Sequence, residues 1–336
     1  MHSTKLARRT LPLLTSAVVL LGLASMAPAG EETEVRGFPD LARRSVTLWS
    51  DGTRLAGDIT YPKEFATGGQ HPCIVMCHGW GGTKQHLNRQ IGPRFAAAGY
   101  VVFTFDYRGW GESDSRLVVT GDMPKPDKDG NVTVTARAVT QLVDPLDQQE
   151  DIDAALCFVE GEEIVDRDRI GIWGSSFGGG HVVWRAAHDD RVKCVVAQVG
   201  AMDQRLGLAQ AEGGLEAVHQ QKIKQVRGEI DPVPSGADKP EGLIGTPHYV
   251  RFAAFAPVDH AEKIKVPVMI LDAELEHYFD NKNHGHKVYT ALKDRVPVEY
   301  HELKGTKHYD VYMGKGLDTV MEMELRWYDE HLKNAD

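Results

Sequence analysis

The chain has 336 residues, 42% of them hydrophobic and 26% charged, which is the make-up of a globular protein long enough to bury a large core. Its formal net charge of −10 argues against a nucleic-acid partner, because a phosphate backbone is bound by clustered Lys and Arg. No basic stripe, heptad pattern or fixed-period repeat runs through it.

Lys5, Arg8 and Arg9 give the N-terminus a positive start, Leu11 to Leu23 form an uncharged apolar run, and Ala27-Pro28-Ala29 offers a small-residue cleavage site before Gly30. This is the anatomy of a secretory signal peptide. The apolar run of about 13 residues is well short of the roughly 20 that a membrane-spanning helix needs. The expectation is a leader over residues 1–29, export to the periplasm or the medium, and no membrane span after cleavage. The four cysteines, Cys73, Cys77, Cys157 and Cys194, are too few for a disulfide framework in a chain of this size. Cys73 and Cys77 share one strand-like run, where extended backbone separates them by about 13 Å, too far for a bridge. They read as small hydrophobes.

Ser45–Ser50 and Arg54–Tyr61 read as two strands around the turn Asp51-Gly52. Cys73–Cys77 is the next strand, Gln85–Ala98 a helix stopped by Gly99, and Tyr100–Asp106 a strand. A helix over 144–161 is followed by the strand 169–174, with a helical pattern beginning at once from Ser176. Strands follow at 192–199, 266–271 and 298–303, and a last helix covers about 316–332. Strand alternating with helix predicts an α/β fold: a mostly parallel sheet of about eight strands, helices on both faces and one antiparallel edge. Two stretches interrupt the alternation. Residues 117–139 carry the hairpin-like turn Asp129-Gly130-Asn131, and residues 201–265 are long enough to form a lid over a site.

Ligands of such sheets bind beyond the carboxyl ends of the strands, so the chemistry is sought there. Gly174-Ser175-Ser176-Phe177-Gly178 fits G-x-S-x-G and lies between a strand and a helix. The glycines remove Cβ atoms that would clash in the tight turn, which leaves Ser176 as the candidate nucleophile. Ser175 lacks the glycine spacing. The Phe177 amide and the Trp80 amide, in His78-Gly79-Trp80-Gly81-Gly82 after the strand 73–77, are the candidate oxyanion donors. His78 reads as a structural hydrogen-bonding residue. Asp106 and Arg108, near Gly109, are expected to brace their loop by a charge-assisted hydrogen bond. With chain order Ser, acid, His, the base lies after the last strand, and His308 is the best placed of the 15 histidines. The acid follows the strand 266–271, where Glu276, Asp280 and Glu274 are candidates in that order.

Together these segments, with Phe105-Asp106-Tyr107-Arg108-Gly109-Trp110-Gly111-Glu112-Ser113 and Gly305-Thr306-Lys307-His308, resemble the α/β-hydrolase superfamily, and within it the dienelactone hydrolase-like and acetyl xylan esterase-like serine hydrolases. The resemblance spans roughly residues 46–332 and implies the α/β-hydrolase fold for residues 30–336, with a lid insertion at about 201–265. It departs at the acid, where Ala273-Glu274-Leu275-Glu276 stands in place of Gly-x-x-Asp, and at the nucleophile, where dienelactone hydrolases proper use Cys rather than Ser176. The implied activity is hydrolysis of a small-molecule or carbohydrate-linked ester, without cofactor or metal. A secreted serine exopeptidase and a catalytically inactive binding module are the alternatives.

Overall fold

The computed structural model of the protein describes residues 32–234 and 241–334; the expected leader at 1–29 lies outside the described residues. The main sheet is built from β1 (Glu32–Val35), β2 (Phe38–Ser50), β3 (Thr53–Pro62), β4 (His71–Cys77), β5 (Val101–Phe105), β6 (Val165–Ser175), β7 (Val192–Gln198), β8 (Val268–Leu275) and β9 (Val298–Lys307). Its nine strands run in the order β1-β2-β3-β5-β4-β6-β7-β8-β9. The pairs among β1, β2, β3 and β5 are antiparallel, and all pairs from β5–β4 to β8–β9 are parallel. The one strand beyond the eight expected is β1, whose Glu32, Thr33 and Glu34 are exposed at the sheet edge and so carry no apolar run to read.

Alternation along the inner strands fills both faces. In β4, Cys73, Val75 and Cys77 enter one core with Phe103, Ile172 and Val195, while Ile74 and Met76 enter the other with Val102, Trp173 and Val196. This is the period-two geometry of a strand buried on both sides. The first core is covered by α3 (Pro145–Glu160), α4 (Phe177–Ala186) and α8 (Gly285–Leu292). The second is covered by α1 (Lys84–Arg89), α2 (Ile91–Ala97) and α9 (Gly314–Tyr328). Cys73, Cys77 and Cys194 are buried and free, and Cys157 is exposed and free.

The single helix expected over 85–98 is two. The chain breaks at Gln90, φ −143°, and restarts at Ile91. Proline has no N–H to give an i−4 carbonyl, and the restart puts Pro93 in a first turn, where that N–H would be unpaired anyway. The Asp106–Arg108 brace does not form either. Asp106 instead accepts the amides of Lys84 (2.7 Å) and Glu112 (3.0 Å), and Arg108 pairs with Asp151 at 2.7 Å. Lys84 is itself held by buried Asp58 at 2.9 Å, so the loop after β4 is anchored where it meets α1. Residues 116–119 and 136–139 pair antiparallel, flanking the turn expected near Asp129. The segment 201–265 carries α5 (Arg205–Gln210), α6 (Gly214–Val226) and α7 (Tyr249–Phe252) among its described residues.

Strand register sets the position of the site. Cys77 is level with Gly174 and Ser175 with Gln198, so β4, β6 and β7 end side by side. Leu275 is level with Lys307, and this delivers Glu276 and His308 as neighbouring first residues beyond the same rim. The expected strand 298–303 thus runs on to Lys307, and His308 follows it directly.

Candidate active site

Ser176 sits between β6 and α4 with φ 57° and ψ −122°, a conformation that L-residues rarely adopt. Three backbone bonds hold it. Its N–H donates to Gln198 O (2.9 Å), and its carbonyl accepts from Gly179 N–H (2.9 Å) and Ala201 N–H (3.0 Å). Packing explains the two motif glycines: a Cβ on Gly174 would collide with the Gly178 carbonyl, and one on Gly178 with the Cys77 carbonyl. A turn so constrained over-determines a strained residue, which is how such strain persists at sites.

The structure brings Ser176, His308 and Glu276 into one line. Ser176 Oγ lies 3.1 Å from His308 Nε2, and Glu276 Oε2 lies 2.6 Å from His308 Nδ1. The side chains of His308 and Glu276 are both 2% exposed. Glu276 Oε1 accepts the amides of His277 (2.8 Å) and Tyr278 (3.0 Å). Burial alone would raise this carboxyl, but the hydrogen bond and charge of His308 together with those two amides hold it below its usual range. An ionised Glu276 accepts only, so Nδ1 carries the proton and Nε2 is left free to accept from the serine hydroxyl. The other acid candidates are occupied elsewhere. Asp280 accepts the amide of Lys282 (3.0 Å), and Glu274 binds Lys304 (3.0 Å) and the amide of Gly305 (2.7 Å).

Ser175, the rival serine, is buried; its hydroxyl accepts from Gln198 Nε2 at 2.9 Å and shares a 2.6 Å bond with Tyr312 OH. The loop after β4 presses on Ser176, since a Cβ on Gly79 would stand 2.9 Å from Ser176 Cβ. That close approach brings the Trp80 backbone to the Ser176 turn. Phe177 opens α4, so its amide belongs to the first turn, which lacks i−4 acceptors. The Trp80 indole N–H donates to Ile244 O at 2.8 Å, and its ring packs edge-on against Phe177 and Phe252. His78 is buried, with Nδ1 3.0 Å from the Gly79 carbonyl, and burial pushes it down to about 4.

Two cavities of about 500 Å³ and 480 Å³ meet at Ser176. Residues of the 201–265 segment enter both, with Leu243 shared between them. Tyr309, Tyr312 and Met313 in the first, and His284 in the second, carry no local motif; only the folded cavity identifies them. Among the described residues no group of three or more His, Cys, Asp or Glu is arranged to hold a metal ion, and no helix is long and apolar enough to cross a membrane.

Comparison with known proteins adds an independent line. Residues 51–232, more than half of the chain, match the family model described as X-Pro dipeptidyl-peptidase (S15 family). An uncharacterised 31.7 kDa protein of the traX-finO intergenic region of Escherichia coli is 28% identical over 291 residues, 78% of this chain and 92% of that one. The quorum-quenching protein AidA of Acinetobacter baumannii is 25% identical over 289 residues, 76% of this chain and 84% of its own. Acetyl xylan esterase 1 from Thermoanaerobacterium sp. superposes with a TM-score of 0.56 at 20% identity, over 89% of this chain and 87% of that one. The fold expected from the sequence, that of the α/β hydrolases, is the fold of this chain.

Proposed function

We propose, from the premise that this chain belongs to the X-Pro dipeptidyl-peptidase (S15) family and has the α/β fold of serine hydrolases, that it hydrolyses carboxylic esters through Ser176, His308 and Glu276. The observation that carries the reading is the continuous contact from Glu276 through His308 to Ser176, at 2.6 and 3.1 Å. Ser176 Oγ attacks the ester carbonyl carbon as its proton passes to His308 Nε2. Ionised Glu276 stabilises the resulting imidazolium. The amides of Trp80 and Phe177 receive the oxyanion, each such donor lowering the barrier by about 3 kcal/mol. The C–O bond to the leaving alcohol breaks as His308 returns the proton to it. Water, deprotonated by the same imidazole, then cleaves the acyl-serine to the free acid.

Ester is favoured over peptide by the charges available to a substrate. An exopeptidase acting from the amino end must hold an ammonium group near its nucleophile. The described lining of the first cavity includes no Asp or Glu. The second has two, of which Asp203 is bound by Arg205 (2.8 Å) and Asp280 caps the turn at Lys282. The family description supports exopeptidase action as the second reading. Rates on p-nitrophenyl acetate and on aminoacyl- and Xaa-Pro-p-nitroanilides separate the two, and faster anilide turnover by the wild type would reverse the order. Labelling by a fluorophosphonate, abolished in Ser176→Ala, tests the nucleophile; undiminished labelling would refute it.

Residues 201–265 act as a lid in this proposal, supported by the contact of Ile244 with Trp80. The chain is exported, supported by the charged start, the apolar run and Ala27-Pro28-Ala29. N-terminal sequencing of the product recovered outside the cytoplasm should then begin near Gly30.

A further inference from the structure

Trp80, Ser176 and Leu243 line both cavities, so a substrate carbonyl at Ser176 has one arm on either side of Trp80. The two sides differ in chemistry. The first contains His308 and is walled largely by Trp80, Leu87, Ile91, Trp173, Tyr312 and Met313. The second is mixed: Asp203, Gln204, Asn283 and His284 stand there beside Leu206, Tyr278 and Phe279. A leaving oxygen must lie at the imidazole that protonates it, and His308 lines the first cavity and not the second. His284 adds a directional group. It is 4% exposed, stacks on Phe279 at 4.5 Å between ring centroids, and its Nδ1 accepts the Met202 amide at 2.8 Å. An imidazole whose Nδ1 accepts carries its proton on Nε2, the nitrogen left over for the cavity. Burial holds this ring down at about 4, so it stays neutral and in that tautomer at ordinary pH.

Resting on the ester reading of the site, we infer that the substrate is divided at Ser176, with an apolar leaving group on the His308 side and a polar acyl chain in the second cavity, where the His284 Nε2–H donates to an oxygen of that chain. His284 is thus a specificity residue, and the substrate class is an ester whose acyl part carries a hydrogen-bond acceptor a few atoms from the carbonyl.

The test uses two p-nitrophenyl esters of equal length, the 3-methoxypropanoate and the pentanoate, which differ by an oxygen in place of a methylene. His284→Asn retains a short-range acceptor for the Met202 amide and removes the Nε2 donor. The kcat/KM ratio of methoxypropanoate to pentanoate is expected to fall about threefold to tenfold, the worth of one neutral hydrogen bond. An unchanged ratio overturns the role of His284. Gly207→Phe decides the division even where His284→Asn does not fold, because an added Cβ at Gly207 meets nothing within 4 Å and the residue lines the second cavity. Here the ratio of p-nitrophenyl pentanoate to p-nitrophenyl acetate should fall at least about tenfold, as a filled pocket excludes the longer chain. The ratio of phenyl acetate to methyl acetate should hold. The reverse pattern overturns the assignment of the arms. A wild-type protein that hydrolyses none of these esters sinks the ester reading itself, whereas active protein with unmoved ratios sinks only this inference.

Discussion

In the proposed mechanism Glu276 does two things at the scale of one residue: it fixes the proton on His308 Nδ1, and it offers a charge to the imidazolium that forms during attack. Glu276→Gln keeps the size and can still bond His308, but it presents a neutral amide, which no longer selects the productive tautomer. We expect kcat for p-nitrophenyl acetate to fall by about 10³- to 10⁴-fold with KM little changed, while the melting temperature shows the fold retained. A loss in Asp280→Asn in place of Glu276→Gln would mean the acid is misassigned. Ser176 was legible because three independent features agree on it: the glycine spacing, the preceding strand and the following helix. The acid was less so, since three carboxylates crowd residues 274–280 and only the level ends of β8 and β9 decide which one meets His308. His284 was not legible at all. A lone histidine before a short helix has no sequence signature, and its meaning comes from the cavity around it.

Elements explain both the legible and the hidden parts of the fold. Buried strands such as β4 and β7 announce themselves as continuous apolar runs, and their helices by the residues that start and stop them. Edge strand β1 and the break at Gln90 do not, because pairing partners and a proline's position in a turn decide them rather than local hydrophobicity. One element contact makes a separate prediction. Glu324 of α9 is fully buried, accepts the Trp173 indole N–H at 3.0 Å, and is pushed up by burial to about 8. Folded protein therefore keeps this proton at pH values where the unfolded chain has lost it. Stability must fall as pH rises from about 4.5 to about 8, by at most about 1.4 kcal/mol per pH unit for this one group, and level off above. Glu324→Gln retains an acceptor for the indole and has no proton to lose. Its melting temperature relative to wild type should climb steadily between pH 5 and pH 8; a constant difference would contradict the buried, protonated carboxyl.

The whole molecule sets a deeply buried sheet against two lightly held helices, α5 and α6, of the 201–265 segment. Strands β4, β6 and β7 are buried on both faces, whereas α5 buries only Leu208 and α6 only Gln225. Hydrogen exchange followed by mass spectrometry should find the amides of those three strands protected up to the global stability. Those of α5 and α6 should exchange at least about 100-fold faster, through local opening. Equal protection in the two regions would argue against a segment free to move over the cavities. The arms of the site would then be walled by a fixed surface rather than by a lid.

The strand that delivers His308 is also the last among the described residues and the outermost of its edge. The serine turn is complete once β4, β6 and β7 have docked, yet it has no base until some 130 residues further on, when β9 joins the rim. A ribosome-bound or half-threaded polypeptide would hold a shaped but unreactive hydroxyl. In the proposed ester hydrolase, turnover therefore also reports that β9 is seated, since without that strand Ser176 has no base.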